Sequence, residues 1–238
     1  MAEKSNDRTV LITGAAGALG SALSRLFVEH GFNTIMVDKE KKGLESAWDS
    51  IVSEGLNEPI LHPLNLATAG PRDFGLLIET VQSEFGGLDG VIHCAARFTG
   101  LRPLDQISPQ EWLEQIQVNL NAAWLLSIAC LPTLRNAHNS FLVFMLEDLK
   151  LMKGGYWGAY GASKLALEAI VHQFSAQCSG SSVKVLGVNP GPFASRLRSE
   201  AYHSEDPATV PGPAAAARKI LELLWDENGS GVIVDLND

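Results

Sequence analysis

The sequence predicts an α/β domain: one doubly wound parallel sheet of about seven strands, covered by helices on both faces. Three observations predict it. Short β-branched, apolar runs alternate with segments of helical spacing along the chain, the pattern of repeated strand–helix units. The first two runs flank a glycine-rich turn and a helix. With 238 residues, 46% of them hydrophobic, the chain can bury one large core. No internal repeat or low-complexity linker divides it, so residues 1–238 are read as a single domain.

Residues 1–7 are polar, carry no apolar signal core and read as a disordered lead. Residues 8–13 are a β-branched, apolar run and form the first strand. Thr13-Gly-Ala-Ala-Gly-Ala-Leu-Gly20 follows at once, and residues 21–30 have helical spacing, with apolar residues at 22, 23, 26, 27 and 28. Residues 34–38 are the second strand. In that context Gly14, Ala16, Gly17, Ala18, Leu19 and Gly20 form a turn whose amides, with the positive end of the helix, suit a pyrophosphate. Asp38 closes the second strand, where a carboxylate accepts from both hydroxyls of an adenosine ribose and repels a 2′-phosphate. It predicts NAD(H) over NADP(H). Lys39 beside it weakens that preference, and helix capping is the alternative use of Asp38.

Residues 41–54 read as an amphipathic helix with Leu44, Trp48, Ile51 and Val52 inward. Residues 60–65 are a third strand, and 74–85 a helix closed by Gly86-Gly87. Residues 88–96 are a fourth strand ending in small residues, which suits backbone packed close to a ligand. Residues 108–134 read as one long helix carrying Asn119, with Ser108 as cap, Pro109 at its first position and Glu111 at capping-box spacing. Residues 140–146 are a fifth strand, 183–189 a sixth, 214–225 a helix and 231–235 a seventh strand.

Residues 158–178 read as a buried helix, from small residues and apolar positions at 165, 167, 170 and 171. Tyr160 and Lys164 are i and i+4, so they share one face. A cation beside a phenol favours the phenolate, and a phenol tuned towards neutral pH can act as acid or base. A tyrosine and a lysine that merely share a surface helix remain the alternative at this point.

Composition narrows the classes. A net charge of −9 argues against a nucleic-acid partner, which needs clustered Lys and Arg. No apolar run approaches the roughly 20 residues of a membrane span. Cys94, Cys130 and Cys178 are scattered without metal-ligand spacing, so no metal is expected and reduced thiols in a cytoplasmic protein are.

Taken together these motifs resemble the short-chain dehydrogenase/reductase family, over about residues 10–234. The glycine turn appears as Thr13, Gly14, Ala18 and Gly20, and the helix-four asparagine as Asn119. The Tyr-x-x-x-Lys pair is Tyr160 and Lys164. The Pro-Gly stretch after the sixth strand includes Pro190, Gly191, Phe193 and Ser195. The resemblance implies a Rossmann-type fold and hydride transfer between a nicotinamide and a carbonyl or secondary alcohol. It implies that Tyr160 moves the proton, Lys164 holds the nicotinamide ribose and lowers the tyrosine pKa, and Asn119 holds a relaying water. Asn65 and Leu66, after the third strand, would lie against the adenine. Cys94, Ala95 and Ala96 replace the family's Asn-Ala-Gly and would line the cofactor. Residues 192–212 would form a substrate lid. Phe98, Thr99, Arg102, Trp157 and Phe193 are expected as pocket walls, while Tyr202 and His203 read as ordinary exposed loop residues. The apolar faces of helices 108–134 and 158–178 suggest a homodimer or homotetramer.

One catalytic position departs. The family's serine stands thirteen residues before the tyrosine, and position 147 is Glu; no Ser or Thr lies between Ser140 and Ser163. Losing one such donor costs about 10²–10³ in rate. An ionised carboxylate ~5 Å from a phenolate, at an effective dielectric of 20, opposes it by about 3 kcal/mol. Glu147 therefore has three readings: it points to solvent beside a slow enzyme, it serves chemistry or a cationic substrate in the pocket, or it marks a degraded site in a nucleotide-binding protein with a regulatory or scaffolding role.

Overall fold

The computed structural model describes residues 8–226 and 232–237. The expected disorder of residues 1–7, and Gly231 of the expected seventh strand, lie outside the described residues. Seven strands form one parallel sheet: β1 (Thr9–Thr13), β2 (Asn33–Asp38), β3 (Ile60–Pro63), β4 (Gly90–His93), β5 (Ser140–Met145), β6 (Val183–Asn189) and β7 (Ile233–Asp235). Their order is β3-β2-β1-β4-β5-β6-β7, so the chain reverses direction of travel between β1 and β4, where open α/β sheets hold their ligands. The register aligns the exits. Thr13 pairs with Val37 and with His93, His93 with Phe144, and Met145 with Val188. Gly14, Asp38, Cys94, Glu147 and Pro190 thus all leave the sheet at one carboxyl edge.

Two apolar layers cover the sheet. On one face pack α3 (Pro71–Phe85), α5 (Ala122–Asn136) and α7 (Gly158–Cys178), through Phe74, Leu126, Leu134, Leu167 and Phe174. On the other pack α1 (Ala18–Glu29), α2 (Lys41–Val52) and α9 (Pro213–Trp225), through Leu23, Phe27, Leu44, Ile51 and Ile220. Strands buried on both faces explain the unbroken apolar runs of the sequence. Of the residues expected inward on α2, Leu44 and Ile51 are buried, whereas Trp48 and Val52 are only half-buried.

The structure corrects the expected elements in four places. The helix expected over 108–134 spans Pro109–Asn136, and it is not uniform. After α4 (Pro109–Ile116) a π-helical stretch, Gln117–Asn121, carries Asn119 before α5 begins. Its start is as predicted: the Ser108 hydroxyl accepts from Glu111 N and Glu111 accepts from Ser108 N, both at 3.2 Å, a capping box worth about 1 kcal/mol. Secondly, this helix is long and apolar enough to cross a membrane by length and composition, contrary to the reading that no run approaches that length. Ala122, Ala123, Leu126, Cys130, Leu131 and Leu134 of it are buried in the core beside the sheet. Thirdly, residues 94–96 leave the sheet instead of extending β4, and β3 stops at Pro63. Fourthly, the segment 192–212, expected as a lid, is structured: it holds α8 (Arg196–Ala201) and a 3₁₀ turn, Pro207–Thr209. Two further short elements, α6 (Leu149–Met152) and a 3₁₀ turn at Leu104–Gln106, are too short to show a period.

Candidate active site

The glycine turn packs backbone on backbone. Gly14 has φ +69°, and a Cβ there would lie 2.6 Å from Ala95 N. A Cβ on Gly20 would overlap the Gly14 carbonyl oxygen. These contacts bring the turn after β1 against the loop after β4, where Cys94 N donates to Thr13 O at 3.2 Å and Ala95 N to Thr13 Oγ1 at 3.3 Å. Gly17 is the N-cap of α1 and offers no side-chain cap, and Ala18 is the first helical residue. The first amides of α1 are therefore left for an outside acceptor. Ala16 and Leu19 flank this opening, Leu19 from the core. Asp38 holds the turn from β2: its Oδ2 accepts from Ala16 N and its Oδ1 from Glu40 N, both at 3.1 Å. It does not cap α2, whose N-cap is Glu40.

Asn65 is exposed, and its Oδ1 accepts from Ala67 N at 3.1 Å, closing a turn, while Leu66 is buried beneath it. Pro190 and Gly191 follow β6. Gly191 takes φ +72° and its N–H donates to Asn189 Oδ1 at 3.2 Å. Phe193 packs against the α1–α9 layer. Ser195 caps α8, its Oγ accepting from Arg198 N at 3.2 Å.

Asn119 is buried and fully engaged. Its Oδ1 accepts from Arg97 N at 2.7 Å, and its Nδ2 donates to Arg97 O at 3.0 Å and to Ser163 Oγ at 3.2 Å. The π-helical register aims this carboxamide at the loop after β4. Asn119 thereby ties α4–α5 to that loop and to α7, and its side-chain hydrogen bonds go to Arg97 and Ser163, not to Tyr160 or Lys164. His93 stays out of the chemistry. It stacks on Phe144 at 4.8 Å and its Nε2 lies 2.9 Å from Ser127 Oγ. The Ser127 hydroxyl donates to Ala123 O, so the ring N–H donates to Ser127. Burial lowers the His93 pKa to about 3, so it is neutral. Burial likewise pushes the Cys94 thiol up to about 12, against the pull of Lys164's charge. The three cysteines are free. Among the described residues no group of three or more His, Cys, Asp or Glu is placed to hold a metal ion.

Tyr160 and Lys164 share one buried face of α7, at 1% and 4% exposure, which disposes of the surface-helix alternative. Lys164 Nζ donates to Met145 O, the last carbonyl of β5, at 2.7 Å, and lies 5.4 Å from the centre of the Tyr160 ring. The Tyr160 hydroxyl donates to Glu147 Oε1 at 2.5 Å. That bond overturns the first reading of Glu147, in which it turned to solvent. It also overturns the expected effect on the phenol. Tyr160 is held well above its ordinary pKa, first by burial and then by the Glu147 carboxylate it bonds. Burial lowers the Lys164 pKa, and Glu147 partly offsets that. A carboxylate in hydrogen-bond contact outweighs an ammonium about one ring away.

Aromatic rings enclose this corner. Phe98 lies 5.2 Å from Tyr160 and 5.6 Å from Trp157, and Trp157 lies 6.0 Å from Tyr160, ring centre to ring centre. Phe98 and Trp157, two of the residues expected as walls, thus stand beside Tyr160. Of the other expected walls, Arg102 bonds Thr99 and pairs with Glu111 at 2.6 Å, pinning the loop to α4. Tyr202 is exposed as expected, and its ring also lies 6.3 Å from Trp157; partial burial and, less strongly, the charge of Glu147 raise its pKa. Arg198 sits 4.8 Å over the Tyr202 ring and is held at 2.6 Å by Glu205. His203 is exposed as expected. The sequence offered no period that would bring Tyr202 to Trp157, because α8 is under two turns long. Ser163, three residues after Tyr160, was the readable but missed partner of Asn119.

Comparison with known proteins agrees with this layout. The family model for short chain dehydrogenase matches residues 8–206. The uncharacterized oxidoreductase YciK of Escherichia coli (strain K12) is 30% identical over 223 residues, 94% of this chain and 88% of that protein. Cyclopentanol dehydrogenase of Comamonas sp. (strain NCIMB 9872) is 25% identical over 244 residues, 97% of this chain and 96% of that one. A short chain dehydrogenase structure from Escherichia coli CFT073, solved with NADPH, superposes with a TM-score of 0.91 at 29% identity, covering 98% of each chain. With the seven-stranded order, the glycine turn and the Tyr160–Lys164 face already in hand, the chain belongs to the short chain dehydrogenase family.

Proposed function

We propose that this chain is an NAD(H)-dependent oxidoreductase moving hydride between a nicotinamide and a carbonyl or secondary alcohol, with Tyr160 as the acid–base group. The observation that carries the reading is the buried Tyr160–Lys164 face at the same sheet edge as the glycine turn. The residues present fit a dinucleotide. Gly14 and Gly20 let the turn fold backbone on backbone, where a Cβ would strike the chain itself, the start of α1 offers amides, and Asp38 at the end of β2 supports a ribose contact. Cys94, Ala95, Ala96, Pro190 and Gly191 border the same edge. When bound, the nicotinamide supplies or takes the hydride. Lys164 holds ribose hydroxyls, Asn119 braces the loop beneath, and α8 keeps water from the reacting carbon. Asp38 supports NAD(H), although the relative named above was solved with NADPH. Trp124 and Ile128, exposed on α5, support a homo-oligomer through the α4–α5 and α7 faces, and the unpaired thiols support a cytoplasmic protein.

A second reading, a catalytically impaired nucleotide-binding protein, is favoured by one observation: the Tyr160 hydroxyl donates its hydrogen bond to Glu147. Titration with NADH and NADPH, followed by cyclopentanone reduction with each, separates the two. The oxidoreductase reading expects tighter NADH binding and a turnover that falls about 10²–10⁴-fold in Tyr160→Phe with cofactor affinity kept. Binding without turnover on any carbonyl supports the second reading.

A further inference from the structure

Glu147 is an acid in an unusual setting. It is half-buried, it accepts from Tyr160, and among the described residues it has no ion-pair partner within salt-bridge distance. The nearby cations are already committed. Lys164 is turned to the Met145 carbonyl, and Arg198 is gripped by Glu205 through two bonds of 2.6 Å. Their charges still act on Glu147 from a distance, but neither pairs with it directly, which leaves a partly desolvated carboxylate open to a further cation. The Tyr160 ring that it bonds packs with those of Phe98 and Trp157, Trp157 packs in turn with Tyr202, and ring faces attract cations. The outermost of them, Tyr202, already carries the protein's own guanidinium at 4.8 Å. Glu147 and Tyr202 are also the members that solvent reaches, so the negative, ring-lined side is the entrance.

We propose that this corner recognises an organic cation: the substrate carries a protonated nitrogen, as an amine or its iminium, where a hydroxyl or carbonyl would otherwise sit. This rests on the oxidoreductase reading for the location of the reacting carbon, but not for the binding itself. With serine at position 147 the buried Lys164 would leave the site net positive. With Glu147 the two charges cancel, and the side facing the entrance is negative. A neutral carbonyl that becomes an oxyanion is opposed by the carboxylate next to it, whereas a substrate that arrives positive is held by it.

Calorimetric titration of cyclopentylamine against cyclopentanol, a matched pair of which only the amine is charged at pH 7, tests this. It is run on the wild-type protein, Glu147→Gln and Glu147→Ser, each with and without saturating NADH. The amine is expected to bind the wild-type protein about tenfold or more tighter than the alcohol. That preference is expected to vanish in both variants while the alcohol affinity and NADH affinity hold. Equal binding of the pair by the wild-type protein, or a preference that survives in a folded variant, overturns the proposal. Wild-type protein that binds no nucleotide but keeps the amine preference overturns the oxidoreductase reading and leaves the cation site standing.

Discussion

Two regions of the same sheet edge are built differently. Where β1 and β2 leave the sheet, the close approaches are backbone to backbone, Gly14 against Ala95 and Gly20 against the Gly14 carbonyl, and one side chain, Asp38, accepts from Ala16 N across them. Where β5 and α7 meet, side chains decide: Glu147 on Tyr160, Lys164 on Met145 O, and four rings around them. A backbone cradle tolerates almost no side chain and so writes itself into the sequence as glycines. A side-chain corner keeps its fold when one group is exchanged, and its chemistry can change with that one group.

The largest effect expected from this contrast is on the nucleotide side. Gly20→Val puts carbon into the Gly14 carbonyl and against Ala15 Cα. A loss of about 1–3 kcal/mol, read as a fall in thermal midpoint, should come with loss of NADH binding by titration. Gly75→Ala in α3, where a Cβ meets nothing within 4 Å, serves as the comparison and should gain about 0.5–1 kcal/mol. Equal behaviour of the two would mean the cradle is not what the contacts indicate.

Next comes the reaction corner. Glu147→Ser should leave the midpoint nearly unchanged and raise turnover of neutral carbonyls about 10–10²-fold. Glu147 is one of the causes that raise Tyr160, so the limb of the pH–rate profile that reports Tyr160 should move to lower pH. A rate that falls instead would make Glu147 a working member of the site for those substrates.

A third effect, read only on acidification, concerns His93, beneath both regions. Its folded pKa, about 3, lies below the ordinary 6.5. The unfolded chain then takes up a proton that the folded chain refuses. The stability it contributes is present above pH 6.5 and lost as pH falls towards 3, by at most about 1.4 kcal/mol per pH unit. Denaturant midpoints across that window should flatten in His93→Gln. An unchanged slope would place the acid sensitivity elsewhere.

The fold was legible to within a few residues. β6 and α7 fall where the apolar runs and small residues put them, and Ser108 starts its helix through the capping box that the spacing announces. The misses share a cause. α6 and α8 are shorter than the window in which a period shows. The π-helical stretch at Gln117–Asn121 sits inside a continuous helical pattern and shifts the register without breaking it. In the site, the positions of Tyr160, Lys164 and Asp38 were readable, since strand ends and i,i+4 spacing place them. The tuning of Tyr160 was not, since Lys164's spacing said nothing of what else would touch the hydroxyl.

By itself the sequence determined the alternation of strands and helices, the need for glycine at 14 and 20, and the shared face of Tyr160 and Lys164, because each follows from steric or periodic rules that act over a few residues. Only the tertiary structure decided that Glu147 reaches Tyr160 across the connection through α6. It alone committed Asn119 to Arg97 and Ser163 and brought Tyr202 to Trp157. Those contacts join residues that share no local period, and they exist only once the helices settle against the sheet and bring distant side chains within bonding distance.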